Sequence, residues 1–224
     1  MKDNISTFVK LSKTKFVAKV ILNIVLISIL GLFFMLLVQI TFQYIPFDSD
    51  VAFLRIKQSY LSKPFYLSLF YVHVYSAIFS VLAGFTQFFK AFQVKYKFVH
   101  RYLGWFYVLI VLLLAAPSGF YIGIYANGGL SSQTSFVLLS ILWFIFTALA
   151  LYFALRKNYI QHKNFMIRSF ALTLSAITLR AWKYLIVYWL HPKPMDVYVV
   201  VAWLGWVLNL LVAEIIIYKL NPKK

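Results

Sequence analysis

Six long apolar runs divide this chain: roughly Phe16–Ile45, Phe65–Phe89, Tyr102–Tyr125, Ser135–Leu155, Phe165–Leu190 and Val197–Tyr218. Each reaches the ~20 residues that a helix needs to cross a bilayer, and short polar breaks separate them. Backbone in hydrocarbon must satisfy its own hydrogen bonds, so runs of this kind are expected to span as helices. The expected fold is therefore all-α, a polytopic membrane bundle of six transmembrane helices. Composition agrees, with 63% hydrophobic and 12% charged residues, against about half and a quarter in soluble domains.

Orientation is read from the basic residues. Sixteen of the 22 cations fall on one side of the threading. They comprise Lys2, Lys10, Lys13, Lys15 and Lys19; Lys90, Lys95, Lys97 and Arg101; Arg156, Lys157, Lys163 and Arg168; and the tail Lys219, Lys223 and Lys224. The other side holds Arg55, Lys57, Lys63 and Lys193 with the acids Asp48, Asp50 and Asp196. The positive-inside rule puts both termini in the cytoplasm, as expected of a bacterial inner-membrane protein. The charge of +17 then reflects topology and attraction to anionic lipids rather than a nucleic-acid surface. The lysine-rich start resembles a signal peptide, but its apolar core is too long to be a cleavable one, so a retained anchor is expected.

The longest break, PFDSDVAFLRIKQSYLSKP at Pro46–Pro64, is expected outside as a small cap. ANGGLSSQ (Ala126–Gln133) and HPKPMD (His191–Asp196) are expected to be tight external turns. Tyr184, Tyr188, Trp189 and Tyr198 on one side, with Tyr96, Tyr102 and Trp105 on the other, form interfacial belts. Several functions are excluded. With no cysteine, disulfides and thiolate chemistry are ruled out. No nucleotide-binding glycine motif appears, and no paired-carboxylate or Ser-His-Asp arrangement can be assembled.

Polar side chains at membrane depth are the remaining clue, because each is costly there. His73, Ser76, Ser80, Gly84 and Gln87 fall on one helical stripe, as do Ser169, Thr173, Ala176, Arg180 and Lys183. In the third span His100, Gly104, Tyr107, Val111 and Ser118 share a face. Hydroxyl and small residues are explained as close helix contacts. His73 and Arg180 are not explained so simply. At 1.5 Å per residue they lie at similar depths, ~13 and ~15 Å from the outer surface. With Gln87 they are the candidate ligand-binding residues, for a small anion, a lipid headgroup or a quinone carbonyl. Glu214 lies ~8 Å from the opposite surface, too far to neutralise Arg180. Its expected partner is Arg168 or Arg101, while Gly104 permits a close helical neighbour. The alternative is a metal site of His100, His162 and Glu214.

These residues resemble the motifs of a family of bacterial membrane proteins termed domain of unknown function 2306. The carriers are His73, LAGFTQF (Leu82–Phe88), HRYLG (His100–Gly104), HKNFMIRS (His162–Ser169) and Arg180. The resemblance spans roughly Tyr66 to Leu190 and implies no activity. A weaker likeness is to membrane cytochromes of the b561 type, whose facing histidines bind haem b; Lys97 and His100 are similar to their K-x-x-H element. That likeness implies one haem b at His100 and His162. The expected functions are thus ligand binding or transport at His73 and Arg180, a redox role at His100 and His162, or a structural and accessory role.

Overall fold

The computed structural model describes residues 2–45 and 47–221. Pro46, Lys223 and Lys224 lie outside the described residues, as do the side chains of Lys2, Lys10, Lys13, Lys15, Lys19 and Lys90. Among the described residues there is no strand. The helices are α1 (Lys2–Phe42), α2 (Tyr66–Gln87), α3 (Lys90–Val94), α4 (Lys97–Ile110), α5 (Ala116–Ile124), α6 (Gly129–Leu155), α7 (Tyr159–Thr173), α8 (Ser175–Leu190) and α9 (Pro194–Leu220). A 3-10 helix, Ala52–Tyr60, sits between α1 and α2, and a π turn, Val111–Ala115, joins α4 to α5.

Five segments are long and apolar enough to cross a membrane: Val20–Phe42, Tyr66–Gln87, Lys97–Ile124, Gly129–Leu155 and Pro194–Leu220. The pair α7 and α8, bent by 43°, makes a sixth when counted as one span. The outer surface agrees with a hydrocarbon setting. Ile27, Leu113, Tyr188 and Trp189 are each about two-thirds exposed or more, which a water-soluble fold would not present so widely. We call the end with the 88–97 and 156–158 turns the basic end, and the opposite end the cap end.

Close packing comes from small residues where helices cross. A Cβ on Gly84 would stand 2.5 Å from the Phe170 ring, and one on Gly205 would stand 3.1 Å from Leu179 Cα. These contacts draw α2 onto α7 and α8 onto α9. The central core runs through Tyr107, Val111, Ala115, Ala150, Leu172 and Trp206. Within it Tyr107 Oη shares hydrogen bonds with Ser169 Oγ and Thr173 Oγ1, each at 2.7 Å, and Thr147 Oγ1 joins Ser169 Oγ at 2.7 Å. The hydroxyl stripe of α7 thus ties α4, α6 and α7 together inside the buried core.

The fifth span departs from the unbroken helix expected at Phe165–Leu190. It begins at Tyr159 and breaks at Leu174. The cause comes from another helix: Asn209 Nδ2 of α9 donates to Ala171 O at 3.0 Å and to Thr178 Oγ1 at 2.9 Å. In a continuous helix Ala171 O would accept from the Ser175 N–H. A side chain inserted into that ladder bends the helix, and Thr173 and Thr178 bond back to the carbonyls four residues earlier, which adds to the bend. The stripe from Ser169 to Lys183 is therefore split. Ser169 and Thr173 face the core, and Arg180 belongs to a differently directed helix.

At the cap end the segment after α1 folds back over the bundle. Leu54 is fully buried against Tyr44 and Phe70. Lys57, with 1% of its surface exposed, donates from Nζ to Tyr125 O and, at 2.5 Å, to Asn127 Oδ1. Its ammonium stands 4.6 Å from the centre of the Tyr60 ring.

Candidate functional site

His73 lies seven residues into α2, ~10 Å from its start. It is half-buried, and its Nδ1 lies 2.9 Å from Ala115 O. A carbonyl can only accept, so Nδ1 carries a proton, and in the neutral form of the ring the lone pair lies on Nε2. Ala115 closes the π turn. Two residues later comes Pro117, which lacks the N–H a regular helix would use, and the wider π register accommodates that loss. Ser118 Oγ bonds to Leu114 O and, at 3.2 Å, to Ala115 O. The irregular carbonyls are thus covered by side chains, as hydrocarbon requires. Gly119 completes the seat: a Cβ there would stand 2.8 Å from His73 Cε1.

Arg180 sits ten residues before the end of α8, ~15 Å below the cap end. It is partly buried. Its Nη1 donates to Ala176 O of its own helix, its one hydrogen bond among the described residues. The guanidinium lies within electrostatic reach of His73, Tyr44 and Tyr184, and no described acid lies within ion-pair range. Tyr44 stands just beyond α1. Its hydroxyl accepts from Phe53 N–H at 3.3 Å, and its ring meets Phe70 and Tyr71 edge-on. Farther down, α1, α2 and α8 close together through Leu37, Val81 and Ile177. The bend at Leu174 redirects α8 from that point, where it continues onto α9 and α1. His73 and Arg180 therefore lie within electrostatic reach of each other, above an apolar floor.

Gln87 is placed elsewhere, near the basic end. Both ends of its amide are satisfied when the nitrogen donates to His100 Nδ1 (3.1 Å) and the oxygen accepts from Gly104 N–H (3.2 Å). Fourteen residues of α2, ~21 Å, separate it from His73. Gly104 is what lets the amide in, since a Cβ there would stand 3.0 Å from it. His100 lies within electrostatic reach of His162, whose Nδ1 donates to Ala150 O at 2.8 Å. The two imidazoles thus lie within electrostatic reach of each other, each with one nitrogen fixed by a neighbour.

Glu214 does not join them. It receives two hydrogen bonds from Arg168, at 2.6 and 2.8 Å, and the guanidinium lies over the Phe165 ring. Among the described residues no three His, Asp or Glu side chains are placed to hold a metal ion. Arg101 is exposed and has no ion pair among the described residues. Two residues that shape the fold, one of them at the bend before Arg180, carry little signal in the sequence. Asn209, which breaks the fifth span, is detectable as a lone amide in an apolar run. Lys57 reads as an ordinary topology charge, and nothing local in the sequence marks it as buried.

The family model described as predicted membrane protein (DUF2306) matches residues 70–217, about two thirds of the chain. No curated protein and no solved structure matches.

Proposed function

We propose that this chain, which belongs to the DUF2306 family of predicted membrane proteins, binds or moves a small anionic or quinone-like ligand at the Arg180–His73 zone. The observation that carries this reading is the state of Arg180. A guanidinium has five donors in a rigid fork, and among the described residues only one bond is made, to a carbonyl of its own helix. A cation at this depth is costly unless something pairs with it. A carboxylate, phosphate or quinone carbonyl supplies the missing acceptors, and a carboxylate would match the fork with two bonds. His73 contributes a lone pair that can accept from a hydroxyl of a reduced quinone.

The test uses purified protein in mild detergent with two probes, a decyl-substituted benzoquinone and decanoate. Binding of at least one probe is expected, and Arg180→Leu should abolish it while the protein stays monodisperse. Undiminished binding in that variant refutes the site. The same reading places both termini in the cytoplasm of a bacterial inner membrane, supported by the charge asymmetry. The absence of native cysteine makes this checkable: an impermeant thiol reagent applied outside should label Lys63→Cys and spare Lys157→Cys.

A second reading is favoured by the electrostatic reach between His100 and His162: one haem b or metal ion at the basic end. With Nδ1 of His162 committed to Ala150 O, its Nε2 is the nitrogen available as a ligand. An optical spectrum and metal analysis of the purified protein test it. An absorption band lost in His100→Ala and His162→Ala but kept in His191→Ala would support it, and a colourless, metal-free protein would retire it.

A further inference from the structure

Below the bend at Leu174, the outer face of the α7–α9 seam carries a groove of about 410 Å³. Ala171 and Ala213 lie buried in its floor, and the phenyl rings of Phe88 and Phe170 and the side chains of Val212 and Ile216 line it. The small residues let α7 and α9 approach, and the 43° bend carries α8 away from what would otherwise be covered. The groove reaches from Leu220 and Lys163 at the basic end to Asn209 and Leu174. Eleven residues of α9 separate its ends, ~16 Å of helix rise, or half the ~30 Å hydrocarbon core. It therefore has the length of one leaflet.

Its charge is set at one end only. Lys163 is exposed and unpaired among the described residues, with Arg156 and Lys157 in the turn before it. The one acid of α9 at this level, Glu214, is already held by Arg168. A molecule suited to the groove is thus apolar for one leaflet and negatively charged at the basic end. We propose that the groove holds one acyl chain of an anionic phospholipid, with its phosphate at Lys163. The amino-terminal half of α1 fits less well. Its flank is basic, as Lys10, Lys13, Lys15 and Lys19 show, and Val17, Ile21, Ile24 and Ile27 are exposed rather than packed on the bundle.

Native mass spectrometry tests the assignment, with the full chain offered equal amounts of palmitoyl-oleoyl phosphatidylglycerol and phosphatidylcholine. The protein should retain the anionic lipid preferentially. Lys163→Glu should lower that retention at least roughly fivefold, from ~1 kcal/mol per basic residue near a membrane surface. Val212→Phe, on an exposed position, should reduce retention of either lipid by narrowing the groove. Equal retention of both lipids by the native chain overturns the charge argument. Loss in Lys163→Glu with none in Val212→Phe overturns the groove as the chain's seat. A disulfide formed in high yield between Ile21→Cys and Ile216→Cys would show α1 in the groove and also overturn the proposal.

Discussion

Replacing Lys57 by Met tests how the cap segment is fastened to the bundle. The side chain is enclosed, and its ammonium satisfies Tyr125 O and Asn127 Oδ1 while facing the rings of Tyr60 and Phe53. Met keeps the apolar stem and removes every donor. Two acceptors are then stranded at a cost of about 1–3 kcal/mol each, and the ring contact is lost, worth about 0.5–1 kcal/mol. Against this, the native chain must desolvate an ammonium, and that burial pulls the Lys57 pKa down to about 8. The offset is incomplete because only one side of the interaction is removed, leaving a net loss of about 2–4 kcal/mol. At 1.4 kcal/mol per decade, that is a roughly 30- to 700-fold rise in the opening equilibrium of the cap.

Amide hydrogen exchange of Leu54–Tyr60 in bicelles measures that opening. Protection unchanged within about threefold would refute the reasoning, since it means the acceptors find water without the cap moving. The pH dependence gives an independent check. Between about 8 and the model-peptide value of 10.5, the open cap holds the Lys57 proton and the closed cap does not. The open state binds more protons, so closure becomes more favourable as pH rises through this window, and the gain is lost as pH falls back to about 8. Lys57→Met should abolish that slope, which separates it from the titration of every other group.

Three further outcomes are expected. Gly119→Ala should push His73 off Ala115 O and cost about 1–3 kcal/mol by overpacking; an unaltered His73 imidazole NMR signal would count against the seat described above. Asn209→Leu should let the Leu174 break straighten, read as a changed distance between spin labels on α7 and α8, and leave Thr178 Oγ1 without its donor. Tyr107→Phe removes one hydroxyl from a buried network of three helices and should lower stability by about 1–2 kcal/mol in detergent unfolding.

The bundle was legible because membrane threading is written in local composition. Of the face that spacing assigns to His100, Gly104, Tyr107, Val111 and Ser118, the last three are buried and the first two are half-buried toward the basic end. The break in the fifth span was not legible, because Phe165–Leu190 contains no Pro or Gly and its breaker is Asn209, on another helix. Lys57 shows the same limit. Its acceptors lie 68 and 70 residues away, so its local sequence reads as an ordinary external charge. Gln87 shared a stripe with His73, but a stripe fixes direction and not depth, and the four turns between them assign the two residues to different ends.

The two irregular stretches of backbone bear on why His73 and Arg180 lie where they do. In hydrocarbon an interrupted helix is tolerated only if its released carbonyls find donors. At the π turn the donors are His73 and Ser118, and at the Leu174 break they are Asn209 and the back-bonding threonines. His73 is therefore held by the irregularity it covers. Arg180 lies six residues past the other break and is directed by it. If these interruptions served only packing, apolar residues and regular helices would do so at lower cost. Both bear on the same two residues, one fixing the imidazole and the other setting the course of the helix that carries the guanidinium. If a ligand binds there as proposed, a change at Gly119 or Asn209 should alter its binding without touching either His73 or Arg180, whereas a purely structural pair of kinks would alter stability alone.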